Sequence, residues 1–244
     1  MDDESTTLND DEIESAGDDP AATAADDFAV APDKSAWLPG SGPATFANVT
    51  SYARGINGVM IDIAGLPQGV TLAPDDFSFR SGRTPGSWNA YPAPASVAVR
   101  RGAGVNGSDR VTLVWPDYNP AASPLTTALA NGWLEVTIKA NADTGLAAPD
   151  VFFFGNLIGE TGDGTGAAEW RASALDLATV KRALNTDASP ASATDFNRDG
   201  RTNALDLATV RRALNRALPA PAPPADLTGR AADRSLAEEL GLVS

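Results

Sequence analysis

The chain has 244 residues, a formal net charge of −14, no cysteine and no histidine. This composition excludes disulfides, thiol chemistry, most zinc sites and every mechanism that pairs histidine with a serine or cysteine nucleophile. The length allows one ordinary domain and a small second one. The sequence has no basic patch and no apolar run of about 18 residues, so we expect no nucleic-acid partner and no membrane span.

Residues 1–27 contain eleven acidic residues and no lysine or arginine. The segment has almost no large apolar side chains, so it cannot bury enough surface to offset the entropy of ordering. We predict a disordered acidic segment that acts as a solvated linker, or alternatively as a calcium-buffering or interaction tail. Acidic residues follow Met1, and no signal peptide is visible. If the protein is secreted, we expect this chain to be a piece of a longer one.

Residues 28–151 contain short stretches in which apolar and polar side chains alternate. Alternation indicates strands because successive side chains of a strand point to opposite faces. Leu134, Val136 and Ile138 share one such face, and Glu135 lies on the other, which we interpret as solvated. Gly, Pro, Asn and Asp clusters separate the stretches, and the pattern predicts an antiparallel β-sandwich. The stretches are 44–52, 57–66, 75–81, 95–101, 109–115, 132–140 and 151–154.

The clearest motif of the C-terminal part is a loop whose oxygen-bearing side chains have EF-hand spacing. Gly200 stands at position 6, where the loop must turn sharply. The side-chain ligands are Asp195, Asn197, Asp199, Asn203 and Asp206, joined by the backbone carbonyl of Arg201. Ca²⁺ takes about six to eight oxygen ligands, and this loop supplies most of them. A plain Asp/Asn/Gly turn is the alternative, but the complete spacing predicts a calcium site.

A helical pattern follows the loop, and it occurs twice. Ala174–Asn185 and Ala204–Asn215 lie thirty residues apart and differ only at Lys181 and Arg211. No helix pattern precedes the loop, so the repeated unit is a loop followed by a helix. Over residues 152–216 the chain resembles a type I dockerin, the calcium-binding module that attaches carbohydrate-active enzymes and surface proteins to cohesins. The resemblance implies a cohesin-like partner.

The region before it is similar to a sandwich module of large bacterial surface proteins, which runs into a dockerin through a phrase like Phe154-Gly155-Asn156. The first repeat departs from the dockerin pattern. When the second loop is aligned with the sequence thirty residues earlier, Trp170 falls at position 6, where glycine is needed. An insertion in the first loop would restore the alignment. The ligand candidates are then Asn156 at position 1, Glu160 and Asp163 inside the insertion, and Arg171 (carbonyl), Ser173 and Asp176 at positions 7, 9 and 12. A calcium site and a loop held by its own hydrogen bonds both remain open.

Both helices have an apolar stripe that predicts packing of one helix on the other. The stripe residues are Leu177, Val180, Leu184, Leu207, Val210 and Leu214. The dockerin resemblance implies that cohesin contacts a different surface. Its residues are Ala174, Leu175, Lys181 and Arg182 on one helix, and Ala204, Leu205, Arg211 and Arg212 on the other. Exposed leucines beside basic residues fit a protein-binding surface, whereas basic residues alone would also suit a solvated helix end.

Residues 217–226 are rich in proline and alanine, which predicts a stiff linker before a short amphipathic helix. The predicted fold class is mainly β with a small α module. The predicted parts are an acidic segment (1–27), a β-sandwich (28–151), a dockerin-like domain (152–216) and a linker with a short helix (217–244).

We expect a non-catalytic, extracellular or cell-surface assembly protein in a polysaccharide-degrading context. One alternative is a carbohydrate-binding sandwich with a calcium-stabilised cap, because aromatic side chains in loops can stack on sugars. The aromatic candidates are Trp88, Tyr91, Trp115, Tyr118 and Trp133. Another alternative is a self-associating adhesion protein. Glycosidase chemistry needs only two carboxylates, but so small a sandwich leaves little room for a cleft. The carboxylate candidates are Asp62, Asp75, Asp76, Asp109, Asp117 and Glu135.

Overall fold

The computed structural model describes residues 23, 24, 27, 30–83, 86–121, 127–163 and 169–221. The described chain is mainly β, and two helices follow the β-rich region. Most of the predicted acidic segment and the whole predicted C-terminal helix lie outside the described residues. Within the described part, no helix has the length and apolar character needed to cross a lipid bilayer.

Eight strands of the β-rich region form two sheets within the described residues. The strands are β1 (Val49–Thr50), β2 (Gly58–Ile63), β3 (Phe77–Gly82), β4 (Asn89–Ala90), β5 (Ser96–Arg100), β6 (Asp109–Val114), β7 (Gly132–Ile138) and β8 (Asp150–Asn156). One sheet has the order β1-β8-β7-β3-β4 and the other β2-β6-β5. All pairs are antiparallel except β1 with β8. The alternating stretches therefore predict every strand except the two-residue β4.

One hydrophobic cluster takes side chains from both sheets. Leu113 of β6 and Leu134 of β7 are each 0 % exposed within it. Trp115, which directly follows β6, also belongs to this core and packs edge-on against Phe79 with ring centroids 5.2 Å apart. The period-two alternation therefore predicts the inward face of these strands correctly.

The opposite face of the five-stranded sheet is covered as well. We predicted a solvated position for Glu135, but its side chain is buried and accepts hydrogen bonds from Arg80 at 2.6 and 2.9 Å. A second hydrophobic cluster on this side contains Trp37, Trp133 and Trp170. The prediction for Glu135 is wrong because the covering residues come from distant parts of the chain, which the strand pattern does not reveal.

The two helices, α1 (Ala174–Ala183) and α2 (Ala204–Ala213), pack against each other. Val180 and Val210 of the predicted stripe meet Phe196, and all three are 0 % exposed. Four short strands accompany the helices. They are β9 (Glu169–Arg171), which pairs with β12 (Ala217–Pro219), and β10 (Thr186–Asp187), which pairs with β11 (Arg201–Thr202). The start of the predicted Pro/Ala linker is thus a paired strand.

Candidate calcium-binding sites

Three acidic side chains of the second loop converge. Asp195, Asp199 and Asp206 each offer a carboxylate oxygen, and these oxygens lie within 4.8 Å of one another. Asp195 and Asp206 are buried. Burial, followed by the charges of Asp206 and Asp199, raises the pKa of Asp195 above its usual value. Carboxylates this close repel one another unless a cation joins them.

Backbone N–H groups orient the two buried carboxylates. The N–H of Phe196 donates to Oδ1 of Asp206 at 2.7 Å, and that of Asn203 donates to Oδ2 at 2.9 Å. Gly200 has a φ of 82° and donates its N–H to Oδ2 of Asp195 at 3.0 Å. Glycine tolerates this left-handed conformation, as its position in the motif predicts.

Two buried oxygens of this loop have no hydrogen-bond partner. They are Oδ1 of Asp195 and Oδ1 of Asn197. The amide nitrogen of Asn197 is used, since it donates to Asp199 at 2.8 Å. A buried acceptor without a donor is costly, and an ion is one of the few things that explain it. Oxygen-only ligands at EF-hand spacing suit Ca²⁺, so the residues fit the metal. Bound calcium would supply the positive charge that holds the carboxylates together.

The first loop contains a second acidic cluster. Carboxylate oxygens of Glu160, Asp163 and Asp176 lie within 4.8 Å of one another. Glu160 and Asp176 are each 0 % exposed, and Oδ2 of Asp163 is buried without a hydrogen-bond partner. Burial, followed by the charge of Asp176, raises the pKa of Glu160 to about 7. This loop therefore also fits a calcium ion.

Hydrogen bonds support Glu160 as the residue at position 1 of the first loop. Its carboxylate accepts from the N–H of Gly162 at 2.9 Å and from that of Arg171 at 3.0 Å. The next residue, Thr161, donates its N–H to Asp176 at 2.7 Å, as Phe196 does to Asp206 in the second loop.

Asn156, which the sequence places at position 1, is used elsewhere. Its Oδ1 accepts from the N–H of Asn131 at 2.9 Å, and its Nδ2 donates to the carbonyl of Tyr52 at 3.0 Å. We therefore propose Glu160 in place of Asn156 at position 1; Arg171 lies eleven positions after Glu160, whereas position 7 lies six positions after position 1 in the second loop.

The other predicted ligands lie in the helix caps and short strands next to the two acidic clusters. Ser173 and Asn203 are helix N-caps, and their side-chain oxygens accept from the N–H groups of Leu175 and Leu205 at 3.0 and 2.7 Å. Arg171 and Arg201 lie on β9 and β11. Sequence reasoning missed Thr161, whose hydroxyl donates to Asp176 at 2.9 Å. Its place directly after the first acidic residue of the loop was the available signal.

The surface of α1 and α2 that we predict to bind the partner is exposed. Leu175 and Leu205 have exposed fractions of 64 % and 61 %, although both are large apolar side chains. The remaining predicted residues are exposed as well; they are Ala174, Lys181, Arg182, Ala204, Arg211 and Arg212. Among the described residues, no acidic side chain forms an ion pair with any of these four basic residues.

Most of the residues proposed for sugar binding or glycosidase chemistry are engaged in the fold. Of the aromatic candidates, Trp115 and Trp133 are buried, and the other three are partly buried. Of the carboxylates, Asp62 pairs with Arg110 at 2.8 Å, and Asp109 pairs with Arg101 at 2.9 Å. The described aromatic candidates therefore do not form an exposed platform for a sugar ring.

Comparison with protein families gives a match over the α module. Residues 171–215 match the type I dockerin domain, and they lie C-terminal to the β-rich region. This match confirms the resemblance that the repeated helices indicate. Type I dockerins bind calcium, and the two acidic clusters could hold it. The match begins at Arg171, so Glu160 and Asp163 lie outside it. No curated protein and no solved structure matches the chain.

Proposed function

We propose that the chain is a non-catalytic assembly protein whose dockerin domain binds a cohesin-like protein when its loops hold calcium. A dockerin is itself a calcium-dependent, cohesin-binding and non-catalytic module. The observation that supports the proposal most strongly is the pair of exposed leucines, Leu175 and Leu205, at equivalent positions of α1 and α2. Exposed apolar side chains beside basic ones mark a protein-binding surface rather than a solvated one.

Each loop would hold one calcium ion. In the second, the ligands are Asp195, Asn197, Asp199 and Asp206, with the carbonyl of Arg201 and the helix cap Asn203 completing the set. In the first, the ligands are Glu160, Asp163 and Asp176, with the carbonyl of Arg171 and the helix cap Ser173. Asn156 is not part of this set because its amide is bonded elsewhere.

The two loop-helix repeats form the α module, and the β-rich region forms a sandwich. The sandwich is supported by the hydrophobic cluster that both sheets share. Strand β8 extends to Asn156 as an inner strand of its sheet. We therefore put the boundary between the sandwich and the α module after residue 156, beyond the 151/152 boundary that the strand pattern suggests.

The partner surface comprises the eight exposed residues on α1 and α2. The cohesin would lie on an extracellular or cell-surface protein that organises polysaccharide-degrading enzymes, the setting in which dockerin modules occur. The sandwich would then act as a carrier for the module. The burial of its aromatic candidates makes a sugar-binding role less well supported.

Surface plasmon resonance against a panel of immobilised type I cohesin domains tests this function. We expect at least one cohesin to capture the full chain in calcium and to release it in chelator. The control is a chain in which both exposed leucines are changed to Glu, which should fail to bind the same cohesin. A chain that binds calcium but no cohesin, or that binds cohesin equally well in chelator, would contradict the proposal.

A further inference from the structure

Both candidate calcium loops contact the β-rich region. In the second loop, the carbonyl of Phe196 accepts the N–H of Ala53 at 2.7 Å. Ala53 also packs on the cluster between the two helices. Phe196 therefore joins a candidate ligand, Asp206, to the β-rich region, since its own N–H donates to that carboxylate.

The first loop is held more extensively. Leu157, the first residue after β8, donates its N–H to the carbonyl of Thr50 at 2.9 Å. The N–H of Ile158 donates to Oδ1 of Asn131 at 3.1 Å, while the N–H of Asn131 donates to Oδ1 of Asn156. Asn131 and Asn156 are both buried. This reciprocal pair fixes the backbone two residues before Glu160.

Close packing fixes the same loop from a second direction. A Cβ added to Gly162 would come within 2.6 Å of the ring of Phe46, so the loop backbone rests directly on a side chain of the β-rich region. Gly162 is the residue whose N–H donates to Glu160. The β-rich region therefore contacts the first loop both before and after Glu160, its first candidate ligand.

The C-terminal end of the module is attached as well. Trp170 of β9 packs against Trp133 of β7 with ring centroids 5.6 Å apart. The indole N–H of Trp133 donates to the carbonyl of Pro219 at 2.8 Å, which ties β12 to the five-stranded sheet. Trp133, Trp170 and Leu218 are almost fully buried in one cluster.

The geometry points to a positioning role for Asn131 and Asn156: they hold the insertion-containing first loop so that Glu160 can reach its calcium ion. This inference rests on the proposed function of the loops. The family match starts at Arg171, so two of the three acidic ligands of this site come from a segment that the β-rich region supports. The β-rich region is therefore part of the first calcium site, and the second site depends on it much less.

Calcium titration calorimetry on the full chain tests the role of Asn131. Asn131 has a φ of 55°, so Asn131→Gly keeps the backbone conformation and removes only the side-chain acceptor. We expect calcium affinity at one site to fall by about tenfold or more, as for loss of an outer-shell partner, with the other site unchanged. Asn131→Asp keeps the acceptor oxygen and should retain affinity. Asn106→Gly is the matched control, since Asn106 also has positive φ but is exposed on a hairpin of the β-rich region.

Asn156→Asp separates positioning from direct ligation. If Asn156 were a ligand, the added charge would keep or increase calcium affinity. As a positioning residue it should lose affinity at the first site, because a carboxylate cannot donate to the carbonyl of Tyr52. The inference is overturned if Asn131→Gly leaves both affinities unchanged, if it lowers both equally, or if Asn156→Asp binds calcium more tightly. A wild-type chain that binds no calcium would instead refute the proposed function of the loops.

Discussion

Asp176 and Asp206 each serve two purposes at once. Each accepts an N–H from the N-cap residue of its helix, at 2.7 Å from Ser173 and 2.9 Å from Asn203, and so completes a capping box. Each also belongs to the acidic cluster of its loop. The same carboxylate therefore caps a helix and, in the proposed site, would bind the cation, which would couple metal binding to helix formation.

Substitution of these two residues should have unequal effects. Asp206→Ala should lower calcium affinity more than Asp176→Ala, because the second loop has two unpartnered buried oxygens and the first has one. We expect a loss of at least about tenfold for Asp206→Ala. Calorimetric titration measures both. The control is Asp187→Ala, since its side chain is 94 % exposed. Two equally tight sites in the wild type would contradict this expectation.

Single residues also show what the sequence could predict. In the second loop every candidate ligand lies at a fixed offset from Gly200, and the structure brings its three acidic residues together. In the first loop the insertion hides which acidic residue would come first, and the support for Glu160 comes from its hydrogen bonds. Glu135 was mispredicted for a related reason, since nothing near it in the sequence reveals its partner Arg80.

At the scale of elements, α1 and α2 depend on their surroundings. Each has ten residues, which is too short for a stable isolated helix. Within each acidic cluster, the carboxylates repel one another when no cation is bound. We therefore expect chelation to lower the helical circular dichroism signal and to leave the β signal largely intact. Calcium added back should restore the helical signal, and a spectrum unchanged by exhaustive chelation would refute this coupling.

Strand β12 should stabilise the whole module. Two truncations isolate it: a chain ending at residue 221 keeps β12, and one ending at residue 216 removes it. The shorter chain loses the burial of Leu218, which is 0 % exposed and should contribute about 1.5–3 kcal/mol. At about 2–4 °C per kcal/mol, its melting temperature should be several degrees lower. Equal melting temperatures would mean that β12 contributes nothing.

The strands differ from one another in how well the sequence predicts them. The period-two stretches predict β2, β3 and β5–β8 because one face of each strand is apolar. The sequence predicts a linker at residues 217–219, because this proline- and alanine-rich stretch lacks the alternation of apolar and polar side chains. Their pairing with β9 is a tertiary contact, and the indole of Trp133 holds the same strand by donating to the carbonyl of Pro219.

At the scale of the whole molecule, the α module both contacts the β-rich region and presents exposed apolar side chains. The contacts involve Ala53, Asn131 and Trp133. The exposed side chains are one leucine at the equivalent position of each helix. A partner that binds one face could bind the other after a half-turn, because the two helices differ only at Lys181 and Arg211.

The central claim is that these two leucines form the cohesin-binding surface. The direct test is the affinity of a cohesin for Leu175→Glu, Leu205→Glu and the double variant in saturating calcium. Each single variant should lose only about twofold, since one of two equivalent orientations remains. The double variant should lose at least about a hundredfold, because either orientation then buries an unpaired carboxylate.

Val105→Glu is the control, because Val105 is 65 % exposed on the β-rich region and lies outside this surface. It should bind like the wild type. If one single variant abolishes binding while the other has no effect, the surface is one-sided. If the double variant binds cohesin as tightly as the wild type, the central claim is wrong.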